Sequence, residues 1–142
     1  WFMTSKPHKI TSQVKYAPSG VDETAGILLQ NKEDEMASII LSLHAKQPKR
    51  GTISFDKGYI EIFEYPRGDE AVITYTETGE KEVITAGNTE KALEYEIEDM
   101  EKAVLENFDM HLNYTKDVMD IMTFIRNEWG MYYPEEEGRE IL

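Results

Sequence analysis

The chain has 142 residues, enough for one domain with a real core and too few for a nucleotide-binding domain plus a second domain. It carries 28 acidic against 15 basic residues, a formal charge of -13, and offers no basic footprint of the kind that phosphate backbones or anionic lipids require, which argues against nucleic acid and membrane as partners. Cysteine is absent, so disulfides, thiolate metal sites and a thiol nucleophile are excluded, and a soluble cytoplasmic protein is expected.

The opening Trp1-Phe2-Met3-Thr4-Ser5-Lys6-Pro7 has neither the charged start nor the long apolar stretch of a signal peptide, and no apolar run reaches the length of a membrane span. With its first Met at position 3, residue 1 is expected to lie inside a longer element, the chain being a fragment. From residue 10 to 86 the dominant period is two, as in Ile10, Ser12, Val14 and Tyr16 against Thr11, Gln13 and Lys15. The same alternation predicts strands over 10–16, 26–31, 36–45, 52–55, 59–65, 71–76 and 82–86, about seven in all. Short connections rich in turn residues, such as Pro18-Ser19-Gly20, Pro48-Lys49-Arg50-Gly51, Asp56-Lys57-Gly58 and Pro66-Arg67-Gly68-Asp69, predict antiparallel neighbours, because parallel crossovers need a dozen residues or more.

After Gly87 the period becomes helical. Leu93, Ile97, Met100, Val104 and Phe108 share one stripe, Asn88 is placed as a cap and Glu90 falls in the first turn, so a helix is predicted over about 89–107. A second helix is predicted from Thr115, with Val118, Ile121, Met122, Ile125 and Trp129 on one face and Gly130 as its stop. Residues 1–134 are read as the domain, and the acidic stretch 135–142 as a loose tail.

Strands followed by helices describe an α+β fold: a largely antiparallel sheet of about six or seven strands with two main helices packed on one face. The other face is then available for dimerisation. In 36–45, Ala37, Ile39, Leu41 and Leu43 form one side and Met36, Ser38, Ile40, Ser42 and His44 the other; in 59–65, Tyr59, Glu61, Phe63 and Tyr65 oppose Ile60, Ile62 and Glu64. Large side chains such as Ile40, Phe63 and Tyr65 would leave an apolar patch in water unless a partner covers it. Ile40, His44, Phe63 and Tyr65 are therefore the candidate dimer face.

Chemistry-bearing motifs are scarce. There is no G-x-G-x-x-G, no P-loop and no G-x-S-x-G elbow, so neither dinucleotide binding nor a nucleophilic serine is indicated for this chain alone. His8, His44 and His111 lie in three different elements, without metal-ligand spacing, so no metal site is expected. The acids Glu94, Glu96, Glu98 and Asp99 read as the solvated face of a helix.

Four segments occur in order along the chain. They are Ser19-Gly20-Val21-Asp22-Glu23-Thr24-Ala25 leading into a strand, Lys49-Arg50-Gly51-Thr52-Ile53 with Lys57-Gly58-Tyr59-Ile60, Ala92-Leu93-Glu94-Tyr95-Glu96 opening a helix, and Trp129-Gly130-Met131-Tyr132-Tyr133-Pro134. Together, from about Pro7 to Pro134, they resemble the C-terminal domain of the Gfo/Idh/MocA oxidoreductases, in particular the branch of the dimeric dihydrodiol dehydrogenases.

The resemblance implies a two-domain, NAD(P)-dependent parent acting on a sugar, polyol or diol. Its own N-terminal Rossmann domain would carry the nucleotide turn and a Glu-Lys-Pro motif with the catalytic Lys. Trp1-Phe2-Met3 would be the last turn of the helix joining the two domains. No catalytic or cofactor-binding residue is then expected in this chain; NAD or NADP belongs to the parent. What would remain is a homodimer surface on the sheet and substrate-pocket candidates: Lys15 and Tyr16 at the end of the first strand, Arg67 in its turn, and Gly87 and Asn88 before the helix. Each has a plain alternative: Lys15 and Arg67 as solvated charges, Tyr16 as a core edge, Asn88 as a helix cap. A different class of answer also stands, a free-standing sheet-mediated interaction module without enzymatic activity.

Overall fold

In a computed structural model the described residues are 3–133 and 136. Of the predicted helix turn Trp1-Phe2-Met3, the first two residues lie outside them and Met3 is in a bend rather than a helix; most of the predicted loose tail also lies outside. Glu136 is the exception, and its carboxylate accepts hydrogen bonds from Arg126 Nη2 at 2.7 Å and from the Tyr133 amide at 3.0 Å.

Among the described residues the architecture is α+β, with seven strands and two α-helices. The strands are β1 (Lys9–Tyr16), β2 (Asp22–Gln30), β3 (Met36–Ser42), β4 (Arg50–Phe55), β5 (Gly58–Phe63), β6 (Glu70–Tyr75) and β7 (Lys81–Thr85). The helices are α1 (Ala92–Glu106) and α2 (Leu112–Glu128). Every strand pairing is antiparallel, but the pairings fall into two sheets, β1-β2-β3 and β4-β5-β6-β7, where the sequence predicts one.

The difference arises at the connection 43–49. A hairpin there would carry the ladder on from β3, but after Ser42 the chain bends, and the Ala45 amide bonds to Ser42 Oγ at 3.1 Å. Pro48, lacking an amide proton, cannot donate to a ladder. The chain accordingly divides into two compact units, one of described residues up to Lys46 and from His111 on, the other Gln47–Met110.

In the first unit, register sets the core. Ile10 faces Leu29, which faces Ala37, and Ser12 faces Ile27, which faces Ile39, so these side chains share one sheet face. On α2, Ile121 and Ile125 are four residues apart and meet that face, and Leu29, Ile121 and Ile125 form the buried cluster, with Met3, Ile10, Ile27, Ala37 and Trp129 packed around it. The Trp129 indole donates to Ser12 Oγ at 2.9 Å, which satisfies its one polar atom. Helix α2 starts at Leu112, ahead of the predicted Thr115, because the turn is made by His111 in the left-handed region (φ 54°) with its ring stacked on Tyr114. It stops as predicted at Gly130 (φ 63°).

The second unit is a four-stranded meander closed by tight turns. Gly58 opens β5 where a β-carbon would stand 2.3 Å from the Thr74 carbonyl oxygen, so no larger residue fits between β5 and β6. Strand β5 ends at Phe63, short of the predicted Tyr65. Glu64 turns left-handed (φ 50°), and Tyr65–Arg67 form a 3₁₀ turn carrying Pro66. Tyr65 is thus a turn residue, and His44, past the end of β3, is a connection residue; neither sits on a strand face.

Helix α1 departs furthest from the prediction that both helices pack on one face. Asn88 caps its leading 3₁₀ turn, but none of its residues is buried, and Leu93, Ile97, Met100 and Val104 are all exposed. In this chain Ile125→Ala, at a side chain 3% exposed, is expected to cost about 3 kcal/mol in urea unfolding. Val104→Ala should stay within about 0.5 kcal/mol, and equal losses would contradict the assignment of the core to α2.

Candidate functional site

The substrate candidates of the first unit lie at a break in the β1–β2 ladder. Lys15 faces Thr24 but Tyr16 faces Asp22, so Glu23 is the extra residue of a bulge. A bulge twists the strand and re-aims its side chains, and such irregularities recur beside functional sites.

Glu23 is the hub. Its side chain is 11% exposed, its carboxylate is ion-paired to Lys15 Nζ, and His44 Nε2 lies 3.9 Å from its second oxygen. The Glu23 carbonyl accepts from the Leu43 amide at 2.9 Å, which brings the residue before His44 against the bulge. The hydrogen bond from Lys15 holds the Glu23 carboxyl below the usual carboxylate range, against the opposing pull of burial, with smaller help from the charges of Lys15 and His44. An ammonium, an ionised carboxylate and an imidazole side by side can donate and accept hydrogen bonds to a hydroxylated ligand.

Tyr16, next to this hub, donates its hydroxyl to the Trp129 carbonyl at 2.6 Å, tying the end of β1 to the C-terminal end of α2. The Lys15 ammonium is paired rather than free, so its plain reading as a solvated charge is incomplete.

The second unit gathers Arg67, Gly87 and Asn88 at one end of its sheet. The Ala86 amide bonds to the Asp69 carbonyl at 2.8 Å, and Thr89 Oγ1 donates to the Arg67 carbonyl at 2.6 Å, which holds the β5–β6 turn beside the turn before α1. Gly87 takes φ 75°, favoured by its lack of a β-carbon, with the Tyr95 ring 3.6 Å from where one would stand. Asn88 Oδ1 accepts from the Glu90 amide at 2.9 Å, so its side chain serves as a cap. The Arg67 side chain is exposed.

The candidate dimer residues are exposed in both units. Ile40, at 61%, stands on the helix-free face of β1-β2-β3. On the same face the register places Met36, as the alternation predicts, and Leu28, which sequence reasoning did not name; Met36 is 63% exposed. A signal was available: from Met36 to Phe55 the chain has no Asp or Glu, in a protein otherwise dense in both. Phe63 and Tyr65 are exposed in the second unit.

Among the described residues no helix is long and apolar enough to cross a membrane, and no group of three or more His, Asp or Glu is placed to hold a metal ion. No protein-family model matches the chain, and no curated protein matches it significantly.

The lowered Glu23 pKa sets a sign. Its pairing stabilises the folded chain fully above the ordinary glutamate value of 4.5, and the contribution is lost as pH falls through the lowered folded value. Carboxyl-carbon NMR should show Glu23 titrating below 4.5 and moving back towards it in Lys15→Met. An unchanged midpoint in the variant would mean that Lys15 is not the cause.

Proposed function

We propose that this chain supplies the substrate-pocket walls and dimer surface of a two-domain, cytoplasmic NAD(P)-dependent oxidoreductase acting on a sugar, polyol or diol, with catalysis belonging to an N-terminal Rossmann domain. The observation that carries the reading is the helix-free face of β1-β2-β3, where Leu28, Met36 and Ile40 are exposed, Met36 and Ile40 within an acid-free stretch. Apolar, charge-depleted surface of this kind belongs at the centre of an interface. The ordered segments from Ser19-Gly20-Val21-Asp22-Glu23 to Trp129-Gly130-Met131 supply the family likeness.

The substrate-contact residues in this reading are Lys15 and Tyr16, joined by Glu23, in the first unit and, separately, Arg67, Gly87 and Asn88 in the second. Lys15 and Glu23 would bind substrate hydroxyls. In the parent, Leu93, Ile97, Met100 and Val104 become the buried stripe of α1. Ile40, on the helix-free face of β1-β2-β3, meets a second subunit in this reading, as does Phe63 in the second unit.

Two measurements test this. The parent protein should show saturable quenching on titration with NADH or NADPH, and the 142-residue chain should show none. A parent that binds neither nucleotide would replace this reading with the free-standing interaction module. Light scattering should find the chain dimeric at high micromolar concentration, and Ile40→Glu should weaken the dimer about tenfold or more, since ~1.4 kcal/mol of interface energy is a factor of ten. A strict monomer would remove the interface from the account.

A further inference from the structure

The one side chain among the described residues that is completely buried is polar. Asn31 follows β2 and is 0% exposed. Its Oδ1 accepts from the Glu33 and Glu35 amides at 3.1 and 2.9 Å, and its Nδ2 donates to Glu35 Oε2 at 2.6 Å. The Asn31 amide closes the loop on the Glu35 carbonyl at 3.1 Å. A buried amide side chain satisfied in this way holds the β2–β3 turn in one shape.

The shaped turn grips another part of the chain. Glu35 Oε2 accepts from the Thr4 amide at 2.8 Å and from Thr4 Oγ1 at 3.0 Å, and the Ser5 hydroxyl donates to Glu33. Three further contacts continue the clasp: Lys6 Nζ reaches Asp117 at 3.0 Å and Asp120 at 2.7 Å on α2, and the His8 amide bonds to the Gln30 carbonyl at 3.0 Å. Met3 packs on the core cluster.

Residues 3–8 are therefore held at nearly every step by the turn, by α2 and by β2. The holding is far denser than strand entry requires, since β1 begins only at Lys9 and has its own ladder with β2. Hydrogen bonds to a carboxylate are stronger than those between neutral groups, and here two converge on one oxygen from the strap alone.

We infer that the Asn31–Glu35 turn is a receptacle that fixes the course of the polypeptide entering β1, and that Glu35 is a positioning residue for whatever precedes that polypeptide. The catalytic part of the inference rests on the oxidoreductase reading above. In that parent the strap is the covalent path from the nucleotide-binding domain to this sheet, and its direction sets how the nicotinamide meets the pocket wall. Misplacing a reacting group by about 1 Å can cost on the order of a hundredfold in rate, so an anchor at this junction acts on turnover without touching substrate.

The experiment has two arms. On this chain, amide hydrogen exchange should show Thr4 protected. Glu35→Gln, which keeps the side-chain shape, should release Thr4 while leaving β1 and β2 protected. Thr4→Pro removes the donated amide proton without altering the turn, and the His8 amide, bonded to the Gln30 carbonyl, should then lose protection in the same way. Protection unchanged in both variants overturns the receptacle.

In the parent, Glu35→Gln should lower kcat about tenfold with the nucleotide KM within about twofold, and Glu35→Asp should restore part of the loss. A parent that binds NAD(P)H normally but keeps full kcat in Glu35→Gln overturns the positioning role and leaves the oxidoreductase reading standing. A parent that binds no nucleotide sinks that reading and the positioning role with it, a result distinct from the previous one.

Discussion

The seating of Ile121 and Ile125 on Leu29 is the contact on which the first unit depends, because a three-stranded sheet cannot stand in water with both faces bare. Burying two isoleucines and a leucine there contributes several kcal/mol in order of magnitude, at about 1.5–3 kcal/mol per side chain. The contact also fixes the ends of α2. With its axis held, Trp129 reaches Ser12 and the Trp129 carbonyl meets the Tyr16 hydroxyl, so the end of β1 is placed by a helix more than a hundred residues away. The candidate residues at the β1–β2 bulge take their positions from that link.

Much of this was legible in the sequence for physical reasons that act locally. Alternation in Ile10, Ser12, Val14 and Tyr16 locates β1 because side chains point to opposite faces with period two. Asn88 and Gly130 mark the ends of helical segments because they satisfy or terminate backbone groups nearby. The sequence also ranked the faces of β3 correctly, with Ala37 towards the core and Ile40 away from it.

What was not legible depends on partners distant in sequence. Nothing in Asn31-Lys32-Glu33-Asp34-Glu35 announces that its carboxylates receive Thr4 and Ser5, which stand about thirty residues earlier. Glu23 was quoted in a motif yet missed as a hub, since its importance comes from a slipped register and from the Leu43-His44 backbone lying against it. The division of seven strands into two sheets turns on how the 43–49 connection bends, which composition does not encode. Likewise, the stripe on α1 was found correctly, but periodicity says only that a helix has an apolar side, not what lies against it.

Two sheets have four edges, and β1, β3, β4 and β7 each present one. An edge strand offers unpaired amides and carbonyls to any other strand, and the usual deterrents are unevenly distributed here. Strand β1 carries Lys9 and Lys15, and β7 carries Lys81 and Glu82, whereas β3, Met36-Ala37-Ser38-Ile39-Ile40-Leu41-Ser42, has no charge at all. That uncharged edge combines high strand propensity with exposed aliphatic side chains, the composition that favours ribbon-like aggregation. For a chain with a net charge of -13, colloidal solubility would then be limited by one seven-residue strand rather than by its overall surface.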